Sequence, residues 1–178
     1  MGDNNIILGG YMNQGILLEM HKAIKNNDLN TIKELVDNNK GILDETIPSG
    51  TFLQDAVTYG TEEIIKYILE QGVDVNQNSK RDEGNALADA AFGGRLNIVE
   101  LLYTNGAILD VSTAAKNPLF AAIYNGHFDI VKFLVENGID YKASYKIGSI
   151  ENCDAYEYAR QYGRTEIAEY LKEKMNEK

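Results

Sequence analysis

Residues 117–138, NPLFAAIYNGHFDIVKFLVENG, have the pattern of two short helices joined by a tight turn. Asn117 and Pro118 are typical of a helix start, because the fixed φ and missing N–H of proline are tolerated in a first turn. Gly126 interrupts the helix, and apolar residues then recur at helical spacing as far as Gly138, a residue typical of a helix end. Helices of this length are marginal in isolation, so neighbouring segments must stabilise them.

The same pattern recurs, so that the chain divides into five units, 18–50, 51–84, 85–116, 117–153 and 154–178. The turn between the two predicted helices falls, with spacings of 33, 34, 32 and 37, at Asn27, Gly60, Gly94, Gly126 and Gly163. Four residues before each turn is an alanine: Ala23, Ala56, Ala90, Ala122 and Ala159. A small side chain there allows helices of adjacent units to approach closely, so we expect these alanines to be buried.

These units resemble the ankyrin repeat, a 33-residue helix pair whose first helix opens with T-P-L-H-x-A-A. The openings are TFLQDA at 51–56, NALADA at 85–90, NPLFAA at 117–122 and DAYEYA at 154–159, and the family's G-H-x-x-I-V-K-x-L-L pattern is matched from Gly126. The resemblance covers about residues 18–175. It implies an all-α ankyrin-repeat solenoid of about five helix–turn–helix repeats, with β-hairpin-like finger loops between them.

The same resemblance defines the expected domain organisation. It implies a single repeat domain over residues 17–178, preceded by residues 1–16 as an N-terminal tail or an additional cap. The connector 139–153 is the longest, so we expect an extended finger there. The polar first and last units fit terminal repeats, whose outer faces have no neighbouring repeat to cover them.

Composition restricts the class of protein and its partners. The 178 residues are 44% hydrophobic and 25% charged, which is typical of a globular protein. A net charge of −10 argues against nonspecific nucleic-acid binding. Residues 41–110 carry twelve acids and four bases, which could attract a basic partner or simply aid solubility. The sequence has one cysteine, no secretory signal and no apolar run near 18 residues. We therefore expect a cytoplasmic protein, most simply a monomer, that binds neither membrane nor nucleic acid.

The sequence contains few candidates for catalysis. Both histidines, His21 and His127, fall on positions that the family pattern explains structurally, and Cys153 is predicted to be a free surface thiol in a finger loop. No zinc spacing, phosphate-binding loop or dinucleotide fingerprint is present, so we predict no cofactor and no metal. Asp55 and Asp89 share one repeat position, and paired carboxylates can do acid–base chemistry. They support an enzyme only as the less favoured alternative.

The resemblance implies that a partner binds the concave face, formed by the exposed side of each first helix and by the finger loops. Carried over by position, this face comprises Asp55, Thr58 and Tyr59; Asp89, Phe92 and Gly93; Ala121, Tyr124 and Asn125; and Tyr158, Gln161 and Tyr162. Candidate fingertip residues are Ile47, Arg81, Asp82, Thr113, Lys116 and Ile150. Aromatic residues recur on this face, and tyrosine is enriched at binding hot spots.

The favoured hypothesis is therefore a non-catalytic module that binds another protein, such as one with a basic surface, through an acidic and tyrosine-rich face. An alternative is an inhibitor or immunity protein that blocks a toxin or enzyme, such as a nuclease, by presenting acids where nucleic acid would lie. Only the central acidity supports that alternative.

Overall fold

The computed structural model describes residues 14–78 and 84–177, and these form ten α-helices, one 3-10 helix and two short hairpins. The chain divides into two compact units, Met1–Val73 and Asp74–Lys178, which we describe separately. A mainly helical chain with small antiparallel hairpins confirms the predicted fold class. The prediction of a single domain over 17–178 stays a prediction. So does the tail or cap at 1–16: residues 1–13 lie outside the described part, and residues 14–16 begin the first helix.

The first unit holds two helix pairs and one hairpin. Its elements are α1 (Gln14–Lys25), α2 (Leu29–Asn38), the 3-10 helix Ile42–Asp44, β1 (Thr46–Ile47), β2 (Gly50–Thr51), α3 (Phe52–Tyr59) and α4 (Glu62–Glu70). The strands pair antiparallel, with Thr46 opposite Thr51. Thr51 begins α3 in a capping box with Gln54. At the first turn, Asn27 adopts a φ of 56° where the later repeats have glycine.

The second unit holds three helix pairs. Its elements are α5 (Ala86–Phe92), α6 (Leu96–Thr104), α7 (Pro118–Asn125), α8 (Phe128–Glu136), β3 (Tyr145–Ile147), β4 (Ile150–Cys153), α9 (Ala155–Gln161) and α10 (Thr165–Asn176). Asn85, Asn117 and Asp154 accept backbone hydrogen bonds at the starts of α5, α7 and α9. An Asn or Asp side chain at this position satisfies amides that have no partner within the helix.

The recurring alanines and the apolar residues of the second helices form the cores, as predicted. Ala23, Ala56, Ala90, Ala122 and Ala159 are all buried. So are the central apolar residues of the second helices, among them Ile32, Ile65, Ile98, Val131 and Ile167. The polar outer face of each second helix is exposed, so these helices are amphipathic in the expected register.

The finger loops are not all alike. The predicted extended finger at 139–153 is the β3–β4 hairpin, in which Tyr145 pairs with Cys153 and Ile147 with Ile150. The connector from α6 to α7 contains no strand over 105–117. Its turns are closed instead by side chains, because Asp110 accepts from the Ser112 amide and Thr113 accepts from the Lys116 amide. Hairpin-like fingers are therefore observed at two connectors of the described chain.

The prediction that Cys153 is a surface thiol is wrong. Cys153 ends β4, and its side chain is fully buried, whereas the preceding Glu151 and Asn152 are exposed. Burial raises the pKa of the thiol, and the carboxylates of Glu157 and Asp154 raise it further. The loop assignment missed the strand, which turns this side chain inward.

We therefore expect Cys153 to resist modification in the folded protein. A buried thiol with a raised pKa supplies little thiolate, which is the reactive form. Titration with Ellman's reagent at pH 7.5 should show less than a tenth of the thiol reacting in the time that suffices for full reaction in 6 M urea. Equal rates with and without urea would contradict the burial of this side chain.

Candidate partner-binding surface

Four aromatic side chains from three successive first helices contact one another in the second unit. We call Phe92, Tyr124, Tyr162 and Tyr158 the aromatic row. The ring centroids of Phe92 and Tyr124 are 5.8 Å apart with planes 19° from parallel, and those of Tyr124 and Tyr162 are 4.8 Å apart. Tyr158 lies 4.7 Å from Tyr162. The sequence prediction placed these residues on one face, and the structure brings them together.

The outer part of the row is open to solvent. Phe92 is 52% exposed, and Tyr124 and Tyr162 are each 41% exposed. Single exposed apolar side chains are ordinary on protein surfaces, but contiguous ones often mark an interaction site. Phe92 and Tyr162 each contact Tyr124, so these three residues form a contiguous exposed aromatic cluster among the described residues of the second unit.

Two further aromatic residues, Phe120 and Tyr145, extend the row toward the interior. Neither is among the contact residues predicted from the sequence. Phe120 stacks on Tyr158 with centroids 4.4 Å apart, and Tyr145 packs edge-on against Phe120 at 5.0 Å. Tyr145 also donates to the Val111 carbonyl at 2.7 Å and accepts from Asn117. Phe120 precedes Tyr124 by four residues, a spacing that places both on one side of α7. That spacing could have identified Phe120, but the placement of Tyr145 depends on the β3–β4 finger.

Hydrogen bonds between repeats hold the helix ends that carry the row. The Phe92 carbonyl accepts from the Asn125 side chain at 2.7 Å and lies 3.1 Å from Nε2 of His127. The Tyr124 carbonyl accepts from the Arg164 guanidinium at 2.6 Å. These bonds satisfy carbonyls that lack partners at a helix C-terminus. The backbone at Phe92 and Tyr124 is therefore held in place by the following repeat.

Close approach explains the glycine at the turn after α5. Gly94 adopts a φ of 69°, and a Cβ there would lie 2.5 Å from the His127 ring. Glycine accommodates both the left-handed conformation and the ring. His127 is thus part of the packing between repeats, in agreement with its predicted structural role.

The aromatic row carries little charge. Burial raises the pKa of Tyr158 far above its usual value, and its hydrogen bond with Tyr162 raises it further, so this hydroxyl stays neutral at ordinary pH. Helices α5, α7 and α9 contain only Asp89, Glu157 and Arg160 as ionisable residues besides tyrosine, and Arg160 donates to Glu157 at 3.0 Å. The predicted acidity of this face is therefore slight within these three helices.

The remaining predicted contact residues of the second unit occupy varied positions. Gly93 and Gln161 are exposed, and the Gln161 amide donates to Glu157 at 2.7 Å. Asp89, Ala121 and Asn125 are half-buried. Lys116 is buried, and its carbonyl accepts from Asn85. Of the fingertip candidates, Thr113 is exposed and Ile150 half-buried, whereas Arg81 and Asp82 lie outside the described residues.

In the first unit, Tyr59 is the corresponding exposed aromatic residue. It is 45% exposed, the Lys25 ammonium lies 4.9 Å from its ring centroid, and the His21 ring meets it edge-on at 6.2 Å. Thr58 is also exposed, and its hydroxyl donates to the Gln54 carbonyl. The fingertip residue Ile47 is half-buried in β1. Tyr59 thus has a cation over its ring.

Asp55 is buried inside the first unit. It is 2% exposed, its Oδ2 lies 2.5 Å from Nδ1 of His21, and its Oδ1 accepts from the Ser49 hydroxyl at 3.0 Å. The carboxylate therefore joins α1, the β1–β2 turn and α3. Its repeat position suggested an exposed residue, and the two partners were not predicted. The separation of 34 residues from His21, one repeat length, is the signal that could have suggested the pair.

Within residues 14–78 and 84–177, histidine, cysteine, aspartate and glutamate side chains form no group of three or more that could hold a metal ion.

Over the same described ranges, no helix is both long and apolar enough to cross a membrane.

Comparison with known proteins identifies the family. A family model described as ankyrin repeats in three copies matches residues 20–114, 53–145 and 109–178, so the matches together extend over most of the chain. Ankyrin repeats are in general protein-interaction modules without catalytic activity of their own.

Individual relatives agree with this match. The chain is 40% identical over 78 residues to protein fem-1 homolog A-like of Mus musculus, an alignment that covers 43% of this chain and 12% of that protein. It is 29% identical over 135 residues to a putative ankyrin repeat protein of Rickettsia felis, covering 70% and 60% of the two chains. It is 28% identical over 134 residues to the ankyrin repeat and KH domain-containing protein mask-1 of Caenorhabditis elegans, covering 74% and 5%.

The chain thus spans between 5% and 60% of the length of these three relatives. The family match, the recurring helix pairs and the buried alanines all agree, and the chain belongs to the ankyrin-repeat family.

Proposed function

We propose that this chain is a non-catalytic module that binds another protein through the aromatic row. The observation that carries the proposal is the contact between Phe92, Tyr124 and Tyr162, which remain 41% to 52% exposed. Large aromatic side chains gain much contact area on binding and lose few rotamers. Because the helix ends at Phe92 and Tyr124 are already hydrogen-bonded to the following repeat, little additional backbone freedom is lost there when a partner binds.

Residues around the row would complete the surface. We assign peripheral contacts to Asp89, Ala121, Asn125, Tyr158 and Gln161. In the first unit, we propose separate contacts by Thr58 and Tyr59. Arg81, Asp82 and Lys116 also stay proposed contact residues, although only a minor part of Lys116 is accessible. Asp55 is left out because its carboxylate is buried and already hydrogen-bonded.

Charge distribution bears on the kind of partner. Helices α4, α8 and α10 together carry eight acidic and four basic residues, so a basic surface on the partner would be attracted to the second helices more than to the aromatic row. The inhibitor alternative drew on the central acidity of residues 41–110. Asp89 and the paired Glu157 are the acids of α5, α7 and α9, so the aromatic row itself does not support that alternative.

We further propose a cytoplasmic, monomeric protein that uses neither a cofactor nor a nucleic-acid partner. The lone buried cysteine supports the compartment, and the net charge of −10 argues against a nucleic-acid partner.

The proposal predicts that Phe92→Ala, Tyr124→Ala and Tyr162→Ala together weaken partner capture more than tenfold. Loss of each hot-spot aromatic typically costs 1 kcal/mol or more of binding free energy, about a fivefold loss of affinity. The measurement is quantitative affinity capture from a lysate of the source cells, followed by mass spectrometry of the proteins that wild type retains. Circular dichroism checks that the variant is folded.

A matched control removes aromatic rings from the second helices instead. Tyr103 and Phe133 form an edge-on pair, with centroids 5.7 Å apart, on α6 and α8. The variant Tyr103→Ala/Phe133→Ala should capture the same partner nearly as well as wild type. Equal capture by wild type and the row variant, or an equal loss in the control, would refute the assignment of the aromatic row as the binding surface.

A further inference from the structure

The near neutrality of the aromatic row restricts the chemistry of its partner. Helix α7, in the centre, has no ionisable side chain except Tyr124, and on α9 the Arg160 guanidinium is paired with Glu157. Arg164, which follows α9, donates to the Tyr124 carbonyl. A charged segment would thus leave water for a surface with little opposite charge to compensate it. An uncharged segment meets no such cost.

The arrangement of the row also bears on the backbone conformation of the partner segment that it binds. A partner strand would add to an unpaired sheet edge, but the row is built from helix ends. A partner helix needs a groove that accepts apolar side chains over about two turns. The ring centroids of Phe92 and Tyr162 lie 5.8 Å and 4.8 Å from that of Tyr124. One turn of polyproline II helix, in which three residues rise about 9 Å, is therefore long enough to contact all three rings.

Polyproline II segments suit the groups that the row offers. Proline rings pack on exposed aromatic side chains, and the segment enters the complex already extended, which limits the entropy lost on binding. Its backbone carbonyls make no internal hydrogen bonds, so they can accept from tyrosine hydroxyls. Tyr124 and Tyr162 supply such hydroxyls in the exposed part of the row.

We propose that the aromatic row binds an uncharged, proline-rich segment of the partner protein in the polyproline II conformation. This inference rests on the proposed function and specifies the chemical class of the ligand. It also replaces the expectation of a basic ligand at this face: attraction between opposite charges contributes little here, so the affinity should hardly depend on ionic strength.

The test uses the full chain and a library of fluorescently labelled 12-residue peptides. One set has proline at every third position and Ala, Leu, Val, Gln or Ser elsewhere. A second set replaces every proline by glycine. A third set has Lys and Arg at the variable positions, and a fourth set has Asp and Glu there. We expect the tightest binders in fluorescence polarisation to come from the uncharged proline set. Their glycine analogues should bind at least tenfold more weakly, and affinity should change less than twofold between 50 and 500 mM NaCl.

Variants locate the binding of the best peptide. Tyr124→Ala should weaken it at least fivefold, and Tyr103→Ala on α6 should leave it unchanged. The inference is overturned if glycine analogues bind as well as their proline parents, if the basic or acidic set binds best, or if no peptide binds. The proposed function has a different failure, because it requires only that the row variant lose the captured protein. Loss of capture without peptide binding would retain the function and remove the ligand class.

Discussion

Replacing Ile123 by alanine should lower the free energy of unfolding of the second unit by about 2–5 kcal/mol. Ile123 lies in α7, the central first helix of that unit, and its side chain is fully buried. Truncation removes buried apolar atoms and leaves a cavity between close-packed helices. Urea denaturation gives the loss of stability. Amide hydrogen exchange of α5, α7 and α9 shows that the second unit is the part affected.

The adjacent residue provides the matched control. Tyr124 is 41% exposed and touches Phe92 and Tyr162, so Tyr124→Ala should cost only about 0.5–1.5 kcal/mol. The two variants should also differ in binding. At temperatures where both are folded, Ile123→Ala should retain the captured partner and Tyr124→Ala should lose much of it. If both variants lost stability and capture equally, the separation between packing residues and binding residues on α7 would be wrong.

Replacing Asp55 by alanine should destabilise the first unit by about 2–3 kcal/mol. The buried carboxylate accepts from Ser49 and contacts His21, so its removal leaves two polar groups without their acceptor and opens a small space beside α1. The measurement is the loss of hydrogen-exchange protection in α1 and α3, together with the urea midpoint.

Ser49 gives the comparison for this prediction. Its side chain lies on the exposed turn between β1 and β2, so water can enter from that side in place of the hydroxyl, and the Asp55 carboxylate keeps its contact with His21. Ser49→Ala should therefore cost less than about 1 kcal/mol. Unchanged stability in Asp55→Ala would refute the structural role of this carboxylate. If that variant instead lost partner capture while staying as stable as wild type, Asp55 would be a binding residue, as its repeat position originally indicated.

The sequence was sufficient to predict features that depend on local periodicity. The buried alanine at Ala122 and the turn glycine at Gly126 follow from repetition, because each unit must pack on the next in the same way. Phe92 and Tyr124 were placed on one face by the same argument, since equivalent positions in successive repeats lie side by side.

Features that depend on the connectors could not be predicted from periodicity. Asp55 is buried because the β1–β2 turn brings Ser49 to it, and Tyr145 reaches Phe120 because the β3–β4 hairpin places it there. Cys153 was misassigned for the same reason, since a strand ends where a loop was expected. The connectors differ from one another in length and in hydrogen bonding, so the structure of one connector does not predict the structure of another.

The bonds between neighbouring turns have a consequence for how such a chain can lengthen. In the second unit, the Phe92 carbonyl accepts from the Asn125 side chain of the following repeat. In the same way, the Tyr124 carbonyl accepts from Arg164 of the repeat after it. A segment of one repeat length therefore carries an acceptor toward its successor and a donor toward its predecessor. Tandem duplication of such a segment would create new junctions that are already complementary, so growth of the array would require no simultaneous compensating change.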